Sequence, residues 1–148
     1  MSYVLAIDQG TTSTRAIVFD KNLQIVASSQ KEIEQFFPFP GWVEHDLEEI
    51  YATVIVTVRD AVKRAKISSQ DILSIGITNQ RETTAIWGAE TGQAISKAIV
   101  WQDRRTSEFC DELKKNGKEK SYQKKTGLLI DPYFSATKVK WLLDKYDP

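Results

Sequence analysis

Cysteine is almost missing from this chain: Cys110 stands alone among 148 residues, which excludes an intrachain disulfide framework and leaves a small buried side chain as its expected role. No uninterrupted apolar run reaches the ~18 residues of a membrane-spanning helix. The chain opens on a strand pattern, not on a basic region followed by a secretory apolar core, so the expected location is the cytoplasm. Neither sign of charge is in excess. The 20 basic and 20 acidic side chains give a formal net charge of zero, which removes any general attraction to nucleic acid or anionic membrane. The P-loop pattern GxxxxGKS/T is absent, and no glycine triplet follows the first strand pattern to suggest a dinucleotide site. Internal repeats, a low-complexity tail and a flexible linker are absent as well. With 41% apolar residues, the simplest expectation is one soluble domain or subdomain with a sizeable core.

What is present is organised around Tyr3 to Phe19, YVLAIDQGTTSTRAIVF. Val4 to Ile7 and Ala16 to Phe19 are short apolar runs that read as buried strands. Between them Gly10 lacks a side chain where backbone must approach a ligand. Thr11, Thr12, Ser13 and Thr14 add hydroxyl donors beside the backbone N–H groups. Asp8, at the end of the first strand, is suited to a hydrated magnesium ion near phosphates. An ordinary hairpin turn is the competing reading of Asp8 to Thr14, DQGTTST.

Leu23, Ile25 and Ala27 then alternate with more polar neighbours, predicting a third strand in a meander with the first two. The proline-rich Phe36 to Trp42 segment is too irregular for a core helix, and its aromatics are expected to cover a domain edge. Asp46 followed by Glu49 predicts a helix start. Leu47, Ile50, Tyr51, Val54, Ile55, Val58, Val62 and Ala65 predict a broad apolar face on the helix that follows. Ile72 to Thr78 reads as an interior strand, and Thr83 to Trp87 and Ala98 to Trp101 as further strands around a turn at Gly88 to Gln93. Thr106 to Lys115 predicts a helix with Phe109 and Leu113 on one face. The lysines at 114, 115, 118, 120, 124 and 125 read as a solvated surface, and Ser135 as the cap of a final helix burying Val139, Leu142 and Leu143.

Chemistry gathers at the strand ends. Arg81 carries a planar fork of N–H donors and Glu82 a pair of acidic oxygens, together able to orient adjacent alcohols of a polyol; taken by themselves, a surface ion pair or local turn contacts is the more ordinary reading. Trp101 and Tyr133 suit the walls of a small pocket, or ordinary packing.

Motifs along most of the chain settle on one family. Asp8 to Arg15 (DQGTTSTR) resembles the first phosphate motif of the glycerol kinases, within the carbohydrate kinases related to actin, hexokinase and the heat-shock ATPase domain. Asn79 to Thr83 (NQRET), Trp101 to Thr106 (WQDRRT) and Asp131 to Ser135 (DPYFS) resemble the successive substrate motifs of those enzymes, and Tyr133 to Trp141 resembles a family signature. The resemblance implies an α/β fold, a ribonuclease-H-like (actin-like ATPase) domain with a mixed sheet and flanking helices. By the same resemblance, Arg81, Glu82, Trp101 and Tyr133 correspond to glycerol-contacting positions. Gly10, Thr11, Thr12, Ser13, Thr14 and Arg15 correspond to the phosphate site, and Asp8 to the magnesium site.

The family enzymes are longer, with two actin-like domains around a cleft and ATP held largely by the second. The resemblance therefore implies that residues 1–148 form an incomplete N-terminal part lacking the second nucleotide-binding domain. The general base is expected beyond Pro148, and neither Asp103, Asp131 nor Glu82 is assigned that role. It further implies ATP as cosubstrate, Mg²⁺, glycerol as substrate, a homo-oligomer in full-length form and an inactive isolated fragment. Another small-polyol or sugar kinase and a noncatalytic ATPase-like interaction domain are the alternatives. A ribonuclease-H-like nuclease fits poorly, because the acids are scattered and the net charge is zero.

Overall fold

The computed structural model describes residues 2–146. They divide into two compact units: Met1–Glu34 with Asp46–Gln80, and Gln35–His45 with Arg81–Pro148. Each unit is assembled from separated stretches of chain.

In the first unit the two apolar runs become β1 (Tyr3–Gln9) and β2 (Ser13–Phe19), an antiparallel hairpin in register from Val4↔Phe19 to Gln9↔Thr14. β3 (Ile25–Glu32) continues the meander. Helix α1 (Leu47–Ala65) then carries the chain over to β5 (Ile72–Thr78), which lies parallel to β1, so the mixed sheet has the order β3-β2-β1-β5. A parallel neighbour needs such a crossover, because a tight turn joins only antiparallel strands. Alternation along β1 and β2 sends Leu5, Ile7, Ala16 and Val18 to one face, where they form the core with Ala61 of α1.

The start of α1 follows expectation: Asp46 Oδ1 accepts from Glu48 N and Glu49 N at 2.9 and 3.2 Å. Its buried face follows it in part. Thr53, Thr57 and Ala61 are the buried residues, with Val54, Val58 and Ala65 packed beside the core, whereas Tyr51 is exposed. Small side chains bring the helix close to the sheet, and the threonine hydroxyls are satisfied locally: Thr53 donates to Ile50 O and Thr57 to Thr53 O, both at 2.8 Å. Apolar periodicity alone skips this threonine stripe.

β5 is a second correction. Its uncharged ILSIGIT run predicts an interior strand, yet Leu73, Ile75 and Ile77 are 73%, 58% and 72% exposed. Among the described residues β5 is the sheet's edge, and α1 lies over the other strands. A groove of about 610 Å³ remains, lined by Leu5, Val58, Val62, Ile72, Leu73 and Ile75 and edged by Arg59 and Lys63.

The second unit holds a two-stranded ladder, β4 (Glu44–His45) against β6 (Ala98–Ile99), and the helices α2 (Ser107–Lys115), α3 (Glu119–Thr126) and α4 (Ser135–Tyr146). The strand expected over Thr83 to Trp87 is reduced to isolated bridges, Thr84↔Ile99 and Trp87↔Ala94. The left-handed backbone of Glu82 (φ 63°) and the turn closed by Gly88 N to Gln93 O at 2.9 Å bracket it and prevent a longer ladder. Ala98, Ile99, Val100, Cys110, Ile130 and Leu142 are buried, and all six lysines between 114 and 125 are exposed. Burial pushes the Cys110 thiol up from its ordinary value, as expected of an inert core cysteine.

One polar knot anchors this unit. Asp103, 1% exposed, accepts from Val43 N at 2.7 Å, Arg105 N at 2.8 Å, Arg105 Nε at 3.0 Å and Arg105 Nη2 at 2.8 Å. The Arg105 guanidinium also reaches Glu44 Oε1 at 2.8 Å and lies 3.7 Å from the centroid of Trp42 and 4.7 Å from that of Trp141. Trp42 is thus half-buried and packed on this knot, while Phe37 and Phe39 of the same segment are exposed.

Candidate functional site

The first group of candidate residues sits at the β1–β2 turn. Gly10 N donates to Ser13 O at 3.0 Å, closing a tight connection. A Cβ on Gly10 would stand 3.1 Å from that same oxygen, so a side chain there crowds the turn. Asp8 is exposed at the end of β1, across the ladder from Arg15. Thr12 faces solvent. The remaining members are tied to protein. Thr14 is fully buried, its hydroxyl 2.8 Å from that of Thr53. Ser13 Oγ accepts from Gln30 Nε2 at 3.0 Å, and Arg15 grips Gln30 Oε1 through Nε and Nη2 at 3.0 and 2.7 Å. The row of ligand-facing hydroxyls expected from TTST is therefore shorter in the structure, because strand alternation turns Thr14 into the core.

Gln9 and Gln80 fasten the two strand ends: Gln80 Nε2 donates to Gln9 Oε1 at 2.9 Å, and Gln9 Nε2 donates to Gly10 O at 3.2 Å. Among the described residues no three His, Cys, Asp or Glu side chains gather into a metal cage. A single exposed carboxylate beside a glycine turn fits a cation that keeps most of its waters, as Mg²⁺ does when phosphates complete its shell.

The second group lies in the other unit, where three of the four expected polyol contacts are linked. Trp101 and Tyr133 meet edge to face with centroids 5.9 Å apart. Trp101 N donates to Thr83 Oγ1 at 3.3 Å, holding that indole beside the NQRET turn. Glu82 Oε2 accepts from both Ser135 N and Ser135 Oγ at 2.7 Å. These bonds satisfy an orphan amide at the start of α4 and put negative charge where the helix dipole favours it. Ser135 therefore does not cap the helix with its own side chain as the sequence suggests; Glu82 supplies the acceptor from a distant stretch. Among the described residues Glu82 Oε1 has no protein partner, and Arg81 is exposed beside it in sequence.

Sequence reasoning missed Lys138. Its side chain is 0% exposed, and its Nζ donates to Glu82 O at 2.9 Å and Tyr133 O at 2.6 Å. Burial brings the ammonium down to about 8, with Glu82, Asp103 and Asp131 opposing that fall. The available signal was its position one turn before Leu142, on the face of α4 that is buried. Asp131 is also structural here: Oδ1 accepts from Tyr133 N at 2.8 Å and meets Arg104 Nη1 at 3.4 Å.

Comparison with known proteins is consistent along the whole chain. A glycerol kinase of Sinorhizobium fredii is 64% identical over 141 residues, covering 95% of this chain and 28% of that protein. A glycerol kinase of Oceanobacillus iheyensis is 58% identical over 145 residues, covering 98% of this chain and 29% of its own length. Among solved structures, Plasmodium falciparum glycerol kinase with ADP superposes with a TM-score of 0.90 at 39% identity, over 99% of this chain and 29% of that one. The chain thus spans little more than a quarter of the relatives it matches. The strand order, crossover helix and mixed sheet are those of the actin-like ATPase fold of these sugar kinases. With residues 3–148 matching the N-terminal domain that defines the group, the chain belongs to the FGGY family of carbohydrate kinases.

Proposed function

We propose that this chain supplies the glycerol-binding and phosphate-binding elements of a cytoplasmic, homo-oligomeric enzyme that phosphorylates glycerol with ATP to give glycerol 3-phosphate. The observation that carries the reading is Glu82, whose backbone is left-handed and whose carboxylate has one oxygen fixed by Ser135 and the other without a protein partner among the described residues, its carbonyl tied through Lys138 to Tyr133 of the Trp101–Tyr133 pair. Arg81 donates to neighbouring alcohol oxygens and Glu82 Oε1 accepts from a hydroxyl, a directional pair that an apolar molecule cannot satisfy. The two aromatic rings cover the carbon skeleton and limit its size.

At the other group, the backbone around the Gly10 turn and the exposed Thr12 hydroxyl face the transferred phosphate, with the Gly10 amide itself closing the turn on Ser13 O, and Asp8 is the residue that would hold Mg²⁺. That ion, when bound, offsets charge on the phosphate oxygens. Transfer needs the alcohol oxygen, phosphorus and leaving oxygen in line, so a polyol pocket alone does not suffice. The acid that accepts the alcohol proton and the second wall of the nucleotide site belong to the longer protein, and Asp103, bonded on both oxygens to Arg105 and backbone, is unsuited to either role.

A second reading has its own support: xylulose kinase and gluconate kinase from Lactobacillus acidophilus superpose with TM-scores of 0.89 and 0.88, each at 26% identity. These leave the fold open to a larger sugar or sugar acid. Titrating the folded 148-residue chain with glycerol and, separately, xylulose, while following Trp101 indole and Glu82 amide resonances, decides between them. Shifts with glycerol alone support the proposal, and preference for the pentulose supports the alternative. The same chain, assayed with ATP, Mg²⁺ and glycerol, is expected to be folded and inactive, and robust turnover free of contaminating kinase would overturn the proposed division of labour.

A further inference from the structure

Glu82 is one of three non-glycine residues with positive φ in the described chain. A left-handed backbone at such a residue is unfavourable and persists only where surrounding bonds over-determine it. Here they do. Ser135 fixes one carboxylate oxygen by two donors, and the Glu82 carbonyl accepts from Lys138 Nζ at 2.9 Å and Thr84 Oγ1 at 3.3 Å. The same Nζ takes the carbonyl of Tyr133 at 2.6 Å. A lysine with no exposed surface thus spends its donors on the main chains of two separate segments, each bearing an expected polyol contact.

Resting on the glycerol reading above, we propose that Lys138 is the positioning residue of the polyol pocket, pinning the Glu82 and Tyr133 main chains so that carboxylate and aromatic wall hold a fixed separation. The chemistry suits that task. An ammonium is a compact donor that serves two carbonyls at once, and on a buried helix face its stem packs as an apolar chain while only the tip is polar. A hydrophobic residue in its place would leave two main-chain acceptors without their strongest donor, and the Glu82 segment would be free to relax to negative φ. Lys138 touches no substrate in this arrangement; it acts through the residues that do.

The test uses the 148-residue chain in three forms: wild type, Lys138→Met, and Lys138→Cys in a Cys110→Ala background with the new thiol aminoethylated to restore an amine of similar length. Two quantities are read. Hydrogen exchange at the Ser135 amide reports whether the Glu82 carboxylate stays in place, and a glycerol titration reports affinity. Lys138→Met is expected to lose Ser135 protection and to bind glycerol about tenfold more weakly, as loss of a charged hydrogen bond implies. Aminoethylation is expected to recover both, which a general loss of packing would not produce. Unchanged Ser135 protection in folded Lys138→Met overturns the proposal, as does unchanged glycerol affinity. If Lys138→Met does not fold, Lys138→Arg decides: its longer planar fork displaces the two carbonyls, so wild-type affinity refutes positioning and weakened affinity in a folded protein supports it. Failure of the wild-type chain to respond to glycerol would refute the glycerol reading instead, while Ser135 exchange would still judge whether Lys138 holds the turn.

Discussion

Replacing Arg105 by methionine should destabilise the second unit far more than a surface charge would. The substitution keeps an unbranched stem between Trp42 and Trp141 but removes the guanidinium from Asp103 and Glu44. Asp103 keeps only its backbone donors, Val43 N and the amide of residue 105, while remaining 1% exposed. Breaking a buried pair from one side costs roughly 3–5 kcal/mol, because the remaining charge stays desolvated. Lost cation–π contact adds about 1 kcal/mol, which methionine packing against the rings partly offsets. A net loss of about 4 kcal/mol, with a urea slope of roughly 2 kcal/mol per M, moves the midpoint down by about 2 M. All four tryptophans, at 42, 87, 101 and 141, lie in this unit, so their fluorescence during urea unfolding reports it selectively. The double variant Asp103→Asn with Arg105→Met should regain a large part of the loss, since it removes the unpaired charge. A single variant within about 1 kcal/mol of wild type, with no recovery in the double, would refute the view that this knot is a buried, mutually dependent pair.

Thr53→Val should cost about 1–2 kcal/mol by removing the Thr53 partner of the buried Thr14 hydroxyl, which keeps only the Gln9 Nε2 donor at 3.3 Å, and Thr14→Val with Thr53→Val should cost less than the two single losses combined; circular dichroism unfolding checks both. Lys138, at about 8 when folded against 10.5 as its ordinary value, binds its proton less tightly in the native state. Stability relative to Lys138→Met should therefore rise between about pH 8 and pH 10.5, by up to roughly 1.4 kcal/mol per pH unit, and stay flat below that window; urea midpoints at several pH values measure it. In the proposed full-length glycerol kinase, Arg81→Ala and Glu82→Ala should each raise the glycerol KM at least about tenfold while leaving ATP binding nearly unchanged, and steady-state kinetics varying each substrate in turn separates the two. Asp8→Ala there should lower kcat and weaken the Mg²⁺ dependence of turnover, with glycerol binding retained in a direct titration.

The sequence by itself determined the meander, the long helix and its cap, because each rests on neighbours in the chain: the short apolar runs Val4 to Ile7 and Ala16 to Phe19, and the aspartate at 46 two and three residues before the amides it accepts. It also marked the motifs at Asp8 to Arg15 and Asn79 to Thr83, at strand ends, and at Asp131 to Ser135, at the start of α4. What tertiary structure alone decided are partnerships across large separations. Thr14 meets Thr53, Asp103 meets Val43, and Ser135 meets Glu82, and nothing local to either partner announces the other. The outer face of β5 belongs to the same class: an apolar run is two-sided interior only if other elements cover both sides, which its own seven residues cannot specify. Lys138 is the clearest case, since a lysine reads as solvated surface by composition, and only the convergence of the Glu82 and Tyr133 carbonyls on its ammonium makes a buried position tolerable.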